Sequence, residues 1–253
     1  MKTVSLFKNM VHAGNLILVN GEYPLCEGLC EKRLEPVSEK SNKVLLEIRT
    51  ATILQKLLDD VNCGEEIVAV SGFRSKYEQM RIYETSLLDN GAEFTAKYVA
   101  RPNHSEHQSG LAIDLALNRP DIDTLCPYFP YTGICGIFRD KAVQFGFVER
   151  YPEGKENITG IAHEPWHFRY VGAPHSAIMQ ETGLALEEYH FMLRGFPYGG
   201  RSFRYVFAGS DVEIFYLSAG EESALFEIED DLPYSVSGDN MGGFIVTLWR
   251  DNR

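Results

Sequence analysis

Apolar and polar residues alternate with period two from Leu111 to Leu117. Leu111, Ile113, Leu115 and Leu117 fall on one side, and Ala112, Asp114 and Ala116 on the other, which predicts a strand with one face in the core. The run Trp166 to Val171 is aromatic and β-branched and predicts a second strand, with His167, Arg169 and Val171 on one face and Trp166, Phe168 and Tyr170 on the other. Ile67 to Val70 and Phe147 to Tyr151 are further short strands. Apolar positions at helical spacing between Lys43 and Asp60 (Val44, Ile48, Ala51, Leu54, Leu58) predict an amphipathic helix stopped near Gly64. Ser75-Lys76-Tyr77-Glu78 reads as a capping box that opens a helix to about Leu88, and Ala92 to Ala100 as another short helix. Ile137 to Phe145, Pro174 to Glu181 and Leu184 to Leu193 complete the helices, while Asn118 to Gly136 is a long irregular loop.

Beyond Phe196-Pro197-Tyr198-Gly199-Gly200 the pattern changes. Ser202 to Ala208, Asp211 to Ser218, Ala224 to Ile228 and Phe244 to Trp249 are short β-prone runs separated by Gly, Asp and Asn. Strands and helices without regular alternation predict an α+β fold, an antiparallel sheet with flanking helices over residues 1–195. A small all-β appendage is expected over residues 196–253.

Composition narrows the partners. The chain has 253 residues, 44% hydrophobic, and a formal net charge of −12. This disfavours nucleic acid and anionic membrane, which require a basic footprint, yet leaves a small anionic substrate open. The N-terminal stretch offers only Leu16 to Val19 as an apolar run, short of the roughly 7–15 residues of a signal-peptide core or the roughly 20 of a membrane span. A cytoplasmic location is the expectation. Five cysteines (Cys26, Cys30, Cys63, Cys126, Cys135) without a C-x-x-C pair read as reduced thiols.

The chemistry concentrates in two stretches. Ser105-Glu-His-Gln-Ser-Gly-Leu-Ala-Ile-Asp114 places His107 on the entry to a strand and Asp114 between two alanines on its polar face. His163-Glu-Pro-Trp-His167 has the letters of the helical zinc-protease motif H-E-x-x-H. Pro165 pushes Glu164 out of the α region, however, and the strand that follows separates His163 from His167. His107, Asp114 and His167 are therefore taken as three metal ligands, Glu164 as the unbound carboxylate beside them, and His163 as a bystander. Two imidazoles and a carboxylate leave a fourth position open, the pattern of a catalytic rather than a structural zinc.

Ser105-x-His107-x-x-Gly110-x-Ala112-x-Asp114 followed by Glu164-x-Trp166-His167, with Ser71-Gly72-Phe73-Arg74-Ser75 and Gln79 upstream, resembles the zinc D-alanyl-D-alanine metallopeptidases of the VanX, VanY and VanXY kind. Hedgehog signalling domains and some phage endolysins share that core. The resemblance covers roughly residues 10 to 195 and is closest to VanY and VanXY. It implies zinc on His107, Asp114 and His167, Glu164 as catalytic base and Arg74 on the tetrahedral oxyanion. Gln79 and Ser105 match positions that hold the substrate's terminal carboxylate. The implied activity is D,D-dipeptidase and D,D-carboxypeptidase action on D-Ala-D-Ala and peptidoglycan precursors, in glycopeptide (vancomycin) resistance. Rival readings are a plain carboxypeptidase or phage-type cell-wall peptidase, and a non-catalytic hedgehog-like zinc module.

Overall fold

The computed structural model describes residues 1–26, 33–38 and 43–250. Among the described residues the strands are β1 (Lys2–Phe7), β2 (Leu34–Pro36), β3 (Leu45–Glu47), β4 (Ile67–Ser71), β5 (Ala112–Leu117), β6 (Phe147–Glu149), β7 (His167–Tyr170), β8 (Phe203–Phe207), β9 (Ser210–Ser218), β10 (Ser223–Ile228), β11 (Tyr234–Gly238) and β12 (Gly243–Arg250). The helices are α1 (Ile48–Val61), α2 (Lys76–Tyr98), α3 (Gly133–Ala142), α4 (Glu156–Thr159), α5 (His175–Thr182) and α6 (Leu186–Arg194). The architecture is α+β, as the mixed pattern predicts. Two compact units result: Met1–Leu18 with Leu186–Arg253, and Val19–Leu25 with Glu31–Ala185.

The larger unit is built on a four-stranded antiparallel sheet in the order β4-β5-β7-β6. Its central strand β5 is buried on both faces: Ile113 and Leu115 are inaccessible, and so is Ala112 on the face that carries Asp114. The small alanine side chains thus leave room on that face for a buried polar cluster. Helix α1 buries Ala51, Leu54, Leu57 and Val61, each large aliphatic contributing about 1.5–3 kcal/mol by its removal from water. The helix begins later than the apolar spacing predicts. Leu45–Glu47 is instead an edge strand paired with Leu34–Pro36, and the Glu47 carboxylate accepts the Thr50 N–H as the N-cap. The two helices predicted after Ser75 form one element, α2, broken at Gly91, whose φ of 80° leaves the helical region. The predicted capping box is present, with Ser75 and Glu78 exchanging side-chain and backbone bonds.

In the smaller unit a four-stranded antiparallel sheet has the order β11-β12-β9-β8. Strand β11, Tyr-Ser-Val-Ser-Gly, is absent from the predicted β runs, since its single large aliphatic gives a weak pattern. The boundary expected at residue 196 also moves. Strand β1 pairs antiparallel with β10, Lys2 opposite Ile228 through Phe7 opposite Ser223, and Leu6 and Val11 join a core with Phe215, Phe226, Ile228, Phe244 and Val246. The N-terminal segment and α6 therefore belong with the β-rich unit. Among the described residues no helix is long and apolar enough to cross a membrane, and Cys26, Cys63, Cys126 and Cys135 are free. Cys30 lies outside the described residues.

Candidate metal centre

Strand register brings the two motifs together. Asp114 on β5 sits directly opposite His167 on β7 and next to Ser71 on β4, so their side chains share one face of the sheet. His167 Nδ1 lies 2.9 Å from Asp114 Oδ1. His107 arrives from a 3₁₀ turn, Glu106–Ser109, that ends at Gly110 with φ 77°. A side chain at Gly110 would be strained by that φ and would crowd the Glu47 backbone. His107 Nε2 stands 3.1 Å from Asp114 Oδ2. Ligand atoms of His107, Asp114 and His167 all lie within 4.8 Å of one another, and all three residues are buried.

The hydrogen bonds around the imidazoles decide what this cluster can hold. His107 Nδ1 is 2.7 Å from the Gly72 carbonyl oxygen, which can only accept, so the proton sits on Nδ1 and Nε2 presents a lone pair. Burial, followed by the nearby Arg74 charge, pushes His107 down to about 4, so the ring is neutral. A lone pair facing a carboxylate oxygen at 3.1 Å is repulsive unless a cation lies between them. The donor set, two imidazole nitrogens and a carboxylate oxygen, is one that takes Zn²⁺ and leaves a coordination position for water or substrate. Gly72 is fixed here by space, because a Cβ would come within 2.3 Å of the Leu45 carbonyl oxygen.

Glu164 stands beside the cluster without joining it as a close partner. Its Oε2 is 3.7 Å from His167 Nδ1, and Pro165 and Trp166 separate it from β7. Burial pushes its carboxyl up to about 8, against the opposing pull of His167. Arg74 comes off the end of β4. Its Nη2 donates to Asp114 Oδ2 at 2.9 Å and its Nε to Ser71 Oγ at 2.8 Å. Gln79, in the first turns of α2, is buried, donates to the Ala100 carbonyl and lies 3.4 Å from Arg74 Nη1. Ser105 is buried and lines the same pocket as Arg74, Gln79, His107, Asp114, Glu164 and His167.

His163 is turned elsewhere. Its Nε2 is 2.7 Å from the Tyr131 hydroxyl and 3.2 Å from Glu149 Oε1. Arg139 completes that group by donating to Glu149 and to the Pro165 carbonyl, so His163 helps seat the segment that carries Glu164.

Sequence reasoning passed over Glu106, Arg150 and Arg169. Glu106 Oε1 accepts from Arg150 Nε at 2.8 Å and from Arg169 Nη1 at 2.7 Å, with all three side chains fully buried. The available signal was positional: Glu106 adjoins His107, and Arg169 shares a strand face with His167.

An α+β core that buries a two-histidine, one-aspartate cluster able to hold a metal ion, beside a buried carboxylate, is the arrangement of a hydrolase of the metallopeptidase type. Residues 43–173 match the VanY D-alanyl-D-alanine carboxypeptidase family, and the chain belongs to that family. It is 40% identical over 165 residues to the bifunctional D-Ala-D-Ala dipeptidase and carboxypeptidase VanXYC of Enterococcus gallinarum, covering 65% of this chain and 87% of that protein. It is 31% identical to a D-alanyl-D-alanine carboxypeptidase of Enterococcus faecium over 98% of this chain and 78% of that one. The fold is similar to the vancomycin-resistance D,D-dipeptidase VanXYg, solved with a D-Ala-D-Ala phosphinate analogue. That match has a TM-score of 0.95 and 48% identity over 98% of this chain and 99% of the other. A Zn(II) complex of a VanY mutant from a VanB-type cassette matches with a TM-score of 0.58 and 29% identity, over 70% of this chain and 98% of its own.

Proposed function

We propose that the protein is a zinc-dependent D,D-dipeptidase and D,D-carboxypeptidase that hydrolyses D-Ala-D-Ala and the terminal D-Ala of peptidoglycan precursors, with a role in glycopeptide resistance. The observation that carries this is the buried His107, Asp114 and His167 cluster with Glu164 alongside, in a chain similar to VanXYg over its whole length.

His107 through Nε2, Asp114 through a carboxylate oxygen and His167 through Nδ1 would hold the ion. Zn²⁺ supplies Lewis acidity, lowering the pKa of water to about 7 and polarising a scissile carbonyl. Glu164 is the general base. Set 3.7 Å from His167, its carboxyl would be ionised by the charge of a bound cation, and it would then take the proton of the attacking water and return it to the leaving amine. Arg74, already extended to the Asp114 carboxylate, carries a fixed charge for the oxyanion. Gln79 and Ser105, which line the same pocket as the metal cluster, are the residues assigned to the substrate's terminal carboxylate. Free thiols at Cys63, Cys126 and Cys135 suit action in the reducing cytoplasm.

A non-catalytic zinc module would have no use for a buried Glu164 or for Arg74 reaching the ligand carboxylate. Release of D-alanine from D-Ala-D-Ala and from a pentapeptide precursor tests the reading, with D-Ala-D-Ser as the control. Turnover of both D-Ala-D-Ala substrates supports bifunctionality, whereas turnover of the pentapeptide alone would leave a plain carboxypeptidase. A buried, unpaired serine hydroxyl costs roughly 1–3 kcal/mol, so D-Ala-D-Ser should be cleaved at least about tenfold less efficiently. Equal rates on the two dipeptides would remove the resistance role.

A further inference from the structure

The ionic trio behind His167 is costly and needs an account. Two guanidiniums and a carboxylate, all fully buried, could be replaced by apolar side chains with no loss of stability, and often with a gain. The bonds are also lopsided. Both arginines donate to Glu106 Oε1, while Oε2 has no hydrogen-bond partner. Among the described residues, His167 Nε2 is likewise a buried polar atom without one. These two atoms face each other at 3.5 Å. The remaining nitrogen, His167 Nδ1, points at Asp114 and Glu164.

Everything around Glu106 keeps it an acceptor. Its close neighbours are donors, Arg150 Nε at 2.8 Å and Arg169 Nη1 at 2.7 Å from Oε1. The trio is tied to the ring it serves. Arg169 lies two residues beyond His167 on the same strand, and the Arg150 backbone N–H donates to the His167 carbonyl at 3.1 Å. The Tyr151 ring packs 4.9 Å from the imidazole.

We infer that Glu106, fixed by Arg150 and Arg169, is a positioning residue: Oε2 accepts the Nε2 proton of His167, which leaves Nδ1 as the nitrogen presented to the metal. The ring would otherwise choose between two tautomers, and the wrong one offers an N–H where a lone pair is required. An ionised carboxylate behind the ring also raises the basicity of the ligating nitrogen. This rests on the metal site proposed above.

The test begins with the wild-type protein loaded with zinc and labelled with ¹⁵N-histidine. Long-range ¹H–¹⁵N spectra should show His167 protonated on Nε2, with Nδ1 shifted by the metal. A proton on Nδ1 in zinc-bound protein overturns the inference while leaving the metal site standing. Failure of zinc to bind at all overturns both. Glu106→Gln then removes the charge at nearly constant shape, and zinc affinity, measured by chelator competition on folded protein, should fall about 10- to 100-fold. Unchanged zinc affinity in folded Glu106→Gln would make the trio purely structural. Should that variant not fold, the wild-type tautomer alone decides.

Discussion

Replacing Glu164 with glutamine should make the metal-free protein more stable and the enzyme nearly inactive, and the size of both effects follows from where the side chain sits. Glu164 is almost fully buried, and burial moves its carboxyl from 4.5 to about 8. A folded state that binds this proton more tightly than the unfolded chain loses stability as pH rises from the unfolded value towards the folded one. At pH 7 the loss is roughly 3 kcal/mol, about 1.4 kcal/mol for each pH unit above 4.5. Glutamine carries no charge, so Glu164→Gln should recover on the order of 2 kcal/mol once its own buried amide is counted. Urea unfolding of the metal-free proteins should therefore place the variant's midpoint higher at pH 7, with the gap closing as pH falls below the unfolded value of 4.5 and the wild-type carboxyl becomes protonated in both states. D-alanine release should meanwhile fall about 10²–10⁴-fold, the usual contribution of a general base, with zinc content unchanged. A variant less stable than wild type at pH 7 would refute the burial argument, and loss of zinc would make Glu164 a ligand rather than a base.

His163→Ala should bind zinc as wild type does, because His163 bonds to Tyr131 and Glu149 and lies outside the ligand cluster. An empty site in this variant alongside an occupied one in His107→Ala would revive the helical H-E-x-x-H reading. Arg74→Lys keeps a charge but loses the planar fork, and kcat should drop about 10²–10³-fold with zinc retained; an unchanged kcat would remove Arg74 from the oxyanion role. Zinc affinity should strengthen about tenfold per pH unit between pH 6 and 8. Burial disfavours charge on His167, but the Asp114 carboxylate at 2.9 Å and the Glu106 carboxylate at 3.5 Å carry it up to about 9, so zinc must displace a proton throughout that window. His107, held at about 4, adds nothing there. Chelator competition at several pH values checks this, and a flat profile would contradict it.

What the alternation of residues could reveal was the part of the site that lies on strands. Period two across Leu111 to Leu117 put Asp114 on the face opposite the leucines, and the aromatic run after Pro165 made His167 a strand residue. Cross-strand register then does the rest, setting the two opposite one another. The buried ionic trio escaped because pattern rules assign charged residues to solvent, and only packing shows Arg150, just past the end of β6, and Arg169 on β7 converging on Glu106. Strand β1 went unread, its segment counted with residues 1–195, for a different reason. Its partner β10 is more than two hundred residues away, and nothing local in Lys2–Phe7 names that partner. Leu45–Glu47 looked helical because it continues the apolar spacing of α1; pairing with Leu34–Pro36 won over propensity.

The central claim is that one metal ion, held by His107, Asp114 and His167, is what makes this chain a D,D-peptidase. The direct measurement is zinc stoichiometry by elemental analysis on the same samples assayed for D-alanine release from D-Ala-D-Ala: wild type, chelator-stripped, zinc-restored and Asp114→Ala. One zinc per chain is expected in the wild type, with activity lost on stripping, recovered on restoration, and neither zinc nor turnover in Asp114→Ala. Full turnover by stripped protein, or one tightly held zinc in Asp114→Ala, would contradict the account.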